Sequence, residues 1–216
     1  LMLMLFEIQD ENWDDIEAMV KAFQDVLMAI KYFEKPVVAA PFGLTLAGGC
    51  EVCLASAKVR AAAETYMGLV EVGVGLIPAG GGVKEMLLRC TEGIPPNVVD
   101  AELLPGVRKA FETVAMAKVA TSAKEAQQLG FMRMTDKVTI NRDFLIHDAK
   151  QTVLDLVKEG YRPPRPKKNI KVMGERGYAL LQMGLFYMRE GGYISQYDEH
   201  VGRKVAHIMS GGNLPD

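Results

Sequence analysis

The 216 residues are 49% hydrophobic and 24% charged, enough apolar material for one substantial core or for a core with a helical appendage. A net charge of -2 offers no basic face for a phosphate backbone, which argues against DNA or RNA recognition. No run approaches the roughly 18 apolar residues that span a bilayer, and the apolar opening 1–6 lacks the basic flank and cleavage site of a signal peptide, so a soluble, cytoplasmic chain is expected. Three cysteines, Cys50, Cys53 and Cys90, are too few for a disulfide framework and fit a reducing compartment. The chain opens without an initiator methionine and closes on the turn-like Gly211-Gly212-Asn213-Leu214-Pro215-Asp216, so a fragment of a longer protein is expected.

Trp13, Ile16, Met19, Val20, Phe23, Val26, Leu27 and Ile30 keep one apolar stripe, which predicts a helix with Asn12 as N-cap and Asp14 and Asp15 at its positive end. Lys35-Pro36 ends it, and residues 37–40 read as a short buried strand. Residues 43–49 read as a glycine-spaced turn, 50–57 as a small-residue helix and 59–62 as a second strand. Six glycines and Pro78 among the apolar residues of 68–82 predict loops and close backbone approaches. Residues 91–106, with Pro95, Pro96 and Pro105, are predicted to connect to a mainly helical second half. Its predicted helices cover 109–119, a segment opened by a capping box at Ser122 and Glu125 and closed by Gly130, and then 143–159, 178–189 and 195–208. The pattern is α/β, with the strands in the first 80 residues.

Two glutamates carry the chemical signal. Gly48-Gly49-Cys50-Glu51 and, twenty residues on, Gly68-Leu69-Val70-Glu71-Val72-Gly73 each tie a carboxylate to a glycine-rich backbone. Singly, Glu51 reads as a first-turn residue favouring the helix dipole and Glu71 as a strand-end charge. Paired in apolar surroundings, two such groups are able to have their pKa values pushed apart, so that one gives a proton while the other takes one. Glycines before a helix leave backbone N–H groups open to a ligand oxygen, which makes Gly48 and Gly49 candidate donors to a thioester oxyanion.

Other signals are weaker. Cys50 and Cys53 have redox-motif spacing but sit in the small-residue helix without a second pair, and read as packing cysteines. His147, His200 and His207 fall in no metal-ligand spacing. Arg162, Arg165, Lys167 and Lys168 read either as a solvated linker or as a cluster able to meet phosphates. Met2, Met4, Met183 and Met188 read as core packing, with a flexible acyl pocket as the alternative.

The long ordered stretch from Lys35-Pro36-Val37-Val38-Ala39-Ala40 through Ala47-Gly48-Gly49-Cys50-Glu51, and from Ala63-Glu64-Thr65-Tyr66-Met67-Gly68 through Glu71-Val72-Gly73-Val74-Gly75-Leu76-Ile77-Pro78-Ala79-Gly80-Gly81-Gly82, resembles the signature of the crotonase (enoyl-CoA hydratase/isomerase) superfamily. With the segment 121–130 the resemblance covers about residues 13–135. It implies a crotonase-like spiral of ββα units followed by a helical C-terminal region, divided as an acyl-CoA-binding core over 1–135 and helices over 136–216. It also implies that Glu51 and Glu71 are the catalytic pair for hydration of a 2-enoyl-CoA, that Gly48 is an oxyanion-hole donor, and that Gly49, Leu76 and Pro78 bind substrate.

The family's first oxyanion-hole motif is absent and is expected upstream of residue 1 with the first ββα units, so this chain alone is expected to be inactive. Ala47, Val70 and Ala79 are smaller departures. The wording of 64–75 and of 194–200 resembles bacterial multifunctional 3-hydroxyacyl-CoA dehydrogenases. The resemblance thus implies fatty-acid β-oxidation, dehydrogenase domains of the same polypeptide as partners, and a homo-oligomer. Gly73-Val74-Gly75 lacks the third glycine of a dinucleotide fingerprint, so NAD is expected only for missing dehydrogenase domains, and no metal or other cofactor is expected here. Enoyl-CoA isomerisation and a non-catalytic acyl-CoA-binding or assembly module are the rival readings.

Overall fold

The structure is a computed structural model that describes residues 2–95 and 97–212; Pro96, the end of the turn-like tail at 213–216 and the side chains of Met2 and Met4 lie outside the described residues. Two helices lead in, α1 (Met2–Gln9) and α2 (Trp13–Tyr32). Asn12 precedes α2 as expected, but its side-chain oxygen accepts no cap hydrogen bond, and its amide nitrogen donates to Glu7 Oε2 at 2.8 Å. Phe33 is extended at the other end, two residues before Lys35-Pro36.

The strands then wind in a spiral. A first turn contributes β1 (Val38–Ala39), β2 (Leu44–Leu46) and α3 (Gly48–Ala55); a second contributes β3 (Lys58–Ala62), β4 (Tyr66–Gly68) and, after a 3₁₀ turn at Glu71–Val74, α4 (Gly82–Cys90). Equivalent strands of the two turns stack in parallel register, Val38 opposite Lys58 in one sheet and Leu44 opposite Tyr66 in the other. Strand β2 lies inside the segment expected to be a turn. Three residues are too short to show period-two patterning, and the ladder to β4 is what makes them a strand.

Beyond α4 the expected 91–106 connection is corrected. Helix α5 (Asp100–Ala115) starts inside it and runs through Pro105, while residues 116–118, expected to be helical, lie outside. Proline interrupts a helix by removing an N–H and crowding the preceding turn. Here Leu103, Val107, Ala110 and Val114 bury one face of α5 and outweigh that cost. Gly106 permits the approach: a Cβ there would stand 2.5 Å from the Cys90 carbonyl oxygen.

Strand β5 (Val119–Ala120) pairs antiparallel with β4. Ser122 caps α6 (Ala123–Leu129) by accepting the Glu125 N–H, and Gly130 ends it at φ +95°. The return arm of the expected capping box slips one residue, since Glu125 Oε2 accepts from Thr121 N and Oγ1. Strand β6 (Lys137–Thr139), beyond the 80 residues expected to hold the strands, adds to β3 in parallel and carries the first sheet past residue 135. Helix α7 (Leu145–Lys158) lies on that sheet, joined to it where Arg60 and Thr139 both donate to Asp148 Oδ2 at 2.7 Å.

Residues 160–173 then lead to a hairpin of α8 (Gly174–Glu190) and α9 (Gln196–Met209), whose buried Leu181, Leu185, Val201, Val205 and Met209 join the core built by α3, α4 and α5. Among the described residues no helix is long and apolar enough to cross a membrane.

Candidate active site

Glu51 and Glu71 converge from consecutive turns of the spiral. Glu51 stands in the first turn of α3, whose start is set by Ala47 at φ +51°, a left-handed residue locked by its N–H to Gly68 O and its carbonyl to Glu51 N. The carboxylate is buried, and its Oε1 accepts the Gly82 N–H at 2.7 Å, the first residue of α4. Burial pushes the Glu51 carboxyl upward, and the amides of Gly82, Gly81 and Gly80 pull it back. The requirement for glycine is steric as well: a Cβ on Gly80 would lie 2.5 Å from Glu51 Oε2, and one on Gly82 2.9 Å from Leu69 and Pro78.

Glu71 opens the 3₁₀ turn. It is also buried, and its Oε2 accepts no hydrogen bond among the described residues. Desolvation is the main cause that raises its pKa to about 7; the neighbouring backbone amides lower it, and the charge of Glu51 raises it further. Two carboxylates from one apolar site therefore have unlike partners: Glu51 is held by backbone donors, whereas one oxygen of Glu71 has none.

The remaining candidate residues surround this pair. Gly48 and Gly49 form the start of α3, where first-turn N–H groups have no acceptor within the helix; Gly49 is exposed and Gly48 partly so. The Phe23 ring of α2 bounds the space over the glycines, 3.3 Å from where a Gly48 Cβ would be and 2.5 Å from a Gly80 Cβ. Leu76 is partly buried and closes the Glu71 turn by donating its N–H to Glu71 O at 3.0 Å. Pro78 is buried against Gly82. Beside Glu51, a cavity of about 10 Å³, room for about one water, is lined by Gly80 and Gly81 and by Leu27, Met28 and Lys31 of α2.

Several residues here escape motif reading. Phe23 belongs to a plain helical stripe, and Lys31 pairs with Glu85 of α4 through both carboxylate oxygens at 2.6 and 2.7 Å, a partnership 54 residues long in sequence. The Gly80-Gly81-Gly82 run was the one available signal, since three successive glycines beside a buried acid mark a backbone placed as donor. Cys50 and Cys53 are buried and their thiols are pushed up, Cys53 to about 12, which makes them inert packing groups. Arg162, Arg165, Lys167 and Lys168 are all exposed between α7 and α8. Among the described residues no group of three or more His, Cys, Asp or Glu is arranged to hold a metal ion.

Comparison with known proteins matches residues 5–159 to the family described as Enoyl-CoA hydratase/isomerase. A probable 3-hydroxyacyl-CoA dehydrogenase of Bacillus subtilis is 46% identical over 216 residues, 100% of this chain and 26% of the relative. A putative fatty acid oxidation complex trifunctional enzyme of Rickettsia felis is 43% identical over 89 residues, 41% of this chain and 12% of the relative. The chain thus spans about a quarter or less of the length of these two relatives. A solved enoyl-CoA hydratase from Bacillus anthracis superposes with a TM-score of 0.54 at 18% identity, covering 90% of this chain and 61% of that one. Another from Polaromonas gives 0.53 at 17%, covering 95% and 66%. At such identities the likeness concerns the fold.

Proposed function

The chain belongs to the enoyl-CoA hydratase/isomerase family, and from that premise we propose that it hydrates 2-enoyl-CoA thioesters, as the hydratase region of a multifunctional 3-hydroxyacyl-CoA dehydrogenase of fatty-acid β-oxidation. The observation that carries this reading is the unlike treatment of two buried glutamates: Glu51 accepts the Gly82 N–H, while Glu71, with a pKa of about 7, has an oxygen without a partner among the described residues.

In the proposed reaction Glu51 orients a water and takes one of its protons while the oxygen bonds to C3. The electron pair of the C2–C3 double bond moves toward the thioester oxygen, which the N–H of Gly48 stabilises, and C2 then takes the proton of Glu71. Gly49, Leu76 and Pro78 shape the substrate site, Pro78 indirectly by fixing the loop before α4. CoA enters as part of the substrate, and NAD serves only dehydrogenase domains outside residues 1–216. The identity to a dehydrogenase of which this chain spans 26% supports the multifunctional part of the proposal.

The test is hydration of crotonyl-CoA, followed by loss of enoyl absorbance, in this chain and in the longer polypeptide that the multifunctional reading implies. Activity in the longer form alone, abolished by Glu51→Gln, supports an oxyanion donor supplied from outside these residues. A shifted double bond without added water would replace hydration by isomerisation, and no turnover in either form would leave an acyl-CoA-binding or assembly module.

A further inference from the structure

Among the described residues Glu71 Oε2 has no hydrogen-bond partner, and the amides that act on its carboxyl, those of Glu71 and Val70, belong to the start of the backbone turn that carries it. That turn closes through Gly75 N–H to Val72 O and Leu76 N–H to Glu71 O, both 3.0 Å, and reverses at Gly75 with φ +79°. Against the outside of Gly75 lies Tyr197 of α9. Its hydroxyl donates to Gly75 O at 3.3 Å, and its ring is packed so closely that a Cβ on Gly75 would stand 2.8 Å from Cε1.

Tyr197 is itself placed with care by the sequence around it. Ser195 and Asp198 form a reciprocal capping box, which fixes the first turn of α9. Two residues on, Glu199 is buried and accepts from Arg189 at 2.7 Å and from Arg203 at 2.6 Å, tying α9 to α8. The His200 ring stacks on Tyr197 at 6.1 Å between centroids, and Val201 and Val205 bury the inner face of α9. All these residues lie outside the segment 5–159 that matches the family.

We propose that Tyr197 is a positioning residue for the reaction, holding Gly75 and thereby the turn that aims Glu71. The proposal rests on the hydratase reading for its kinetic part, while the hold on the turn stands on contacts alone. Because Tyr197 is 61% exposed, its truncation leaves the core intact.

The experiment measures amide hydrogen exchange over residues 70–77 in this chain, and kcat and KM for crotonyl-CoA in the form that hydrates it, for wild type, Tyr197→Ala and Tyr197→Phe. Tyr197→Ala is expected to speed exchange in that segment and to lower kcat about tenfold with KM within about twofold, since small misplacement of a reacting group costs rate more than binding. Tyr197→Phe, which keeps the ring, is expected to recover most of both. Unchanged exchange in Tyr197→Ala, a loss confined to KM, or a Phe variant no better than Ala would overturn the proposal. Absence of hydration by wild type in every form would count against the hydratase reading alone, and the exchange result would still decide the hold on the turn.

Discussion

Glu71 sits in surroundings that favour its neutral form, and two separate measurements are expected to register the consequence. Its folded pKa of about 7 lies above the ordinary 4.5, so between those values the folded state binds more protons than the unfolded one. The sign follows: the contribution of Glu71 to stability is fully present below pH 4.5 and is lost as pH rises through 7. The shift corresponds to about 3 kcal/mol at pH 8. Glu71→Gln cannot ionise, so relative to wild type it is expected to gain stability progressively from pH 5 to pH 8 in urea titrations, by an amount on the order of 2 kcal/mol after relaxation around the amide. The same substitution removes the proton donor and is expected to lower kcat for hydration by about a hundredfold or more. In wild type the rate is expected to fall above about pH 7, as the donor is lost; a flat profile to pH 9 would mean that Glu71 does not act as the acid.

Elements, rather than single residues, bring the glutamates together, and here the legibility of the sequence divides. Gly80 and Gly82 show where the backbone packs tightly around Glu51, because few other residues tolerate a neighbour 2.5 Å (Glu51 Oε2, at Gly80) or 2.9 Å (Leu69 and Pro78, at Gly82) from a would-be Cβ. What escaped was everything enforced by partners far along the chain: β2 and β6 exist through their ladders, α5 passes through Pro105 because its buried face demands it, and α2 is fastened by a lysine that looks like surface charge. The Lys31–Glu85 pair is only 17% and 9% exposed at its side chains and joins α2 to the helix whose first amide binds Glu51. Lys31→Met leaves Glu85 with Lys84 alone, at 3.2 Å, and is expected to cost about 2–3 kcal/mol in urea denaturation. Replacing both partners by methionine is expected to cost less than the sum of the single changes, with a coupling of about 1–3 kcal/mol. Strict additivity would show that the pair does not hold α2 to α4.

At the scale of the whole molecule, the sequence separates a motif-rich core from a helical remainder, but the packing does not follow that separation. The first sheet takes its third strand from residues 137–139, and the α8–α9 hairpin inserts Leu181, Leu185, Val201, Val205 and Met209 into the core beside Met86, Val107 and Val114. Gly202 lets the two helices cross closely, since a Cβ there would stand 2.7 Å from Leu185. Amphipathic periodicity reveals that such helices have an apolar face, yet it cannot say which surface the face will meet. At about 1.5–3 kcal/mol for each large apolar side chain, those five contribute on the order of 10 kcal/mol, comparable with the entire stability of a typical domain. A chain ended at residue 159, the limit of the family match, is therefore expected to lose its cooperative urea transition and to bind a hydrophobic dye, even though both glutamates and every glycine of the signature remain. A sharp transition with native near-ultraviolet dichroism in the shortened chain would instead show that the spiral folds without its helical hairpin.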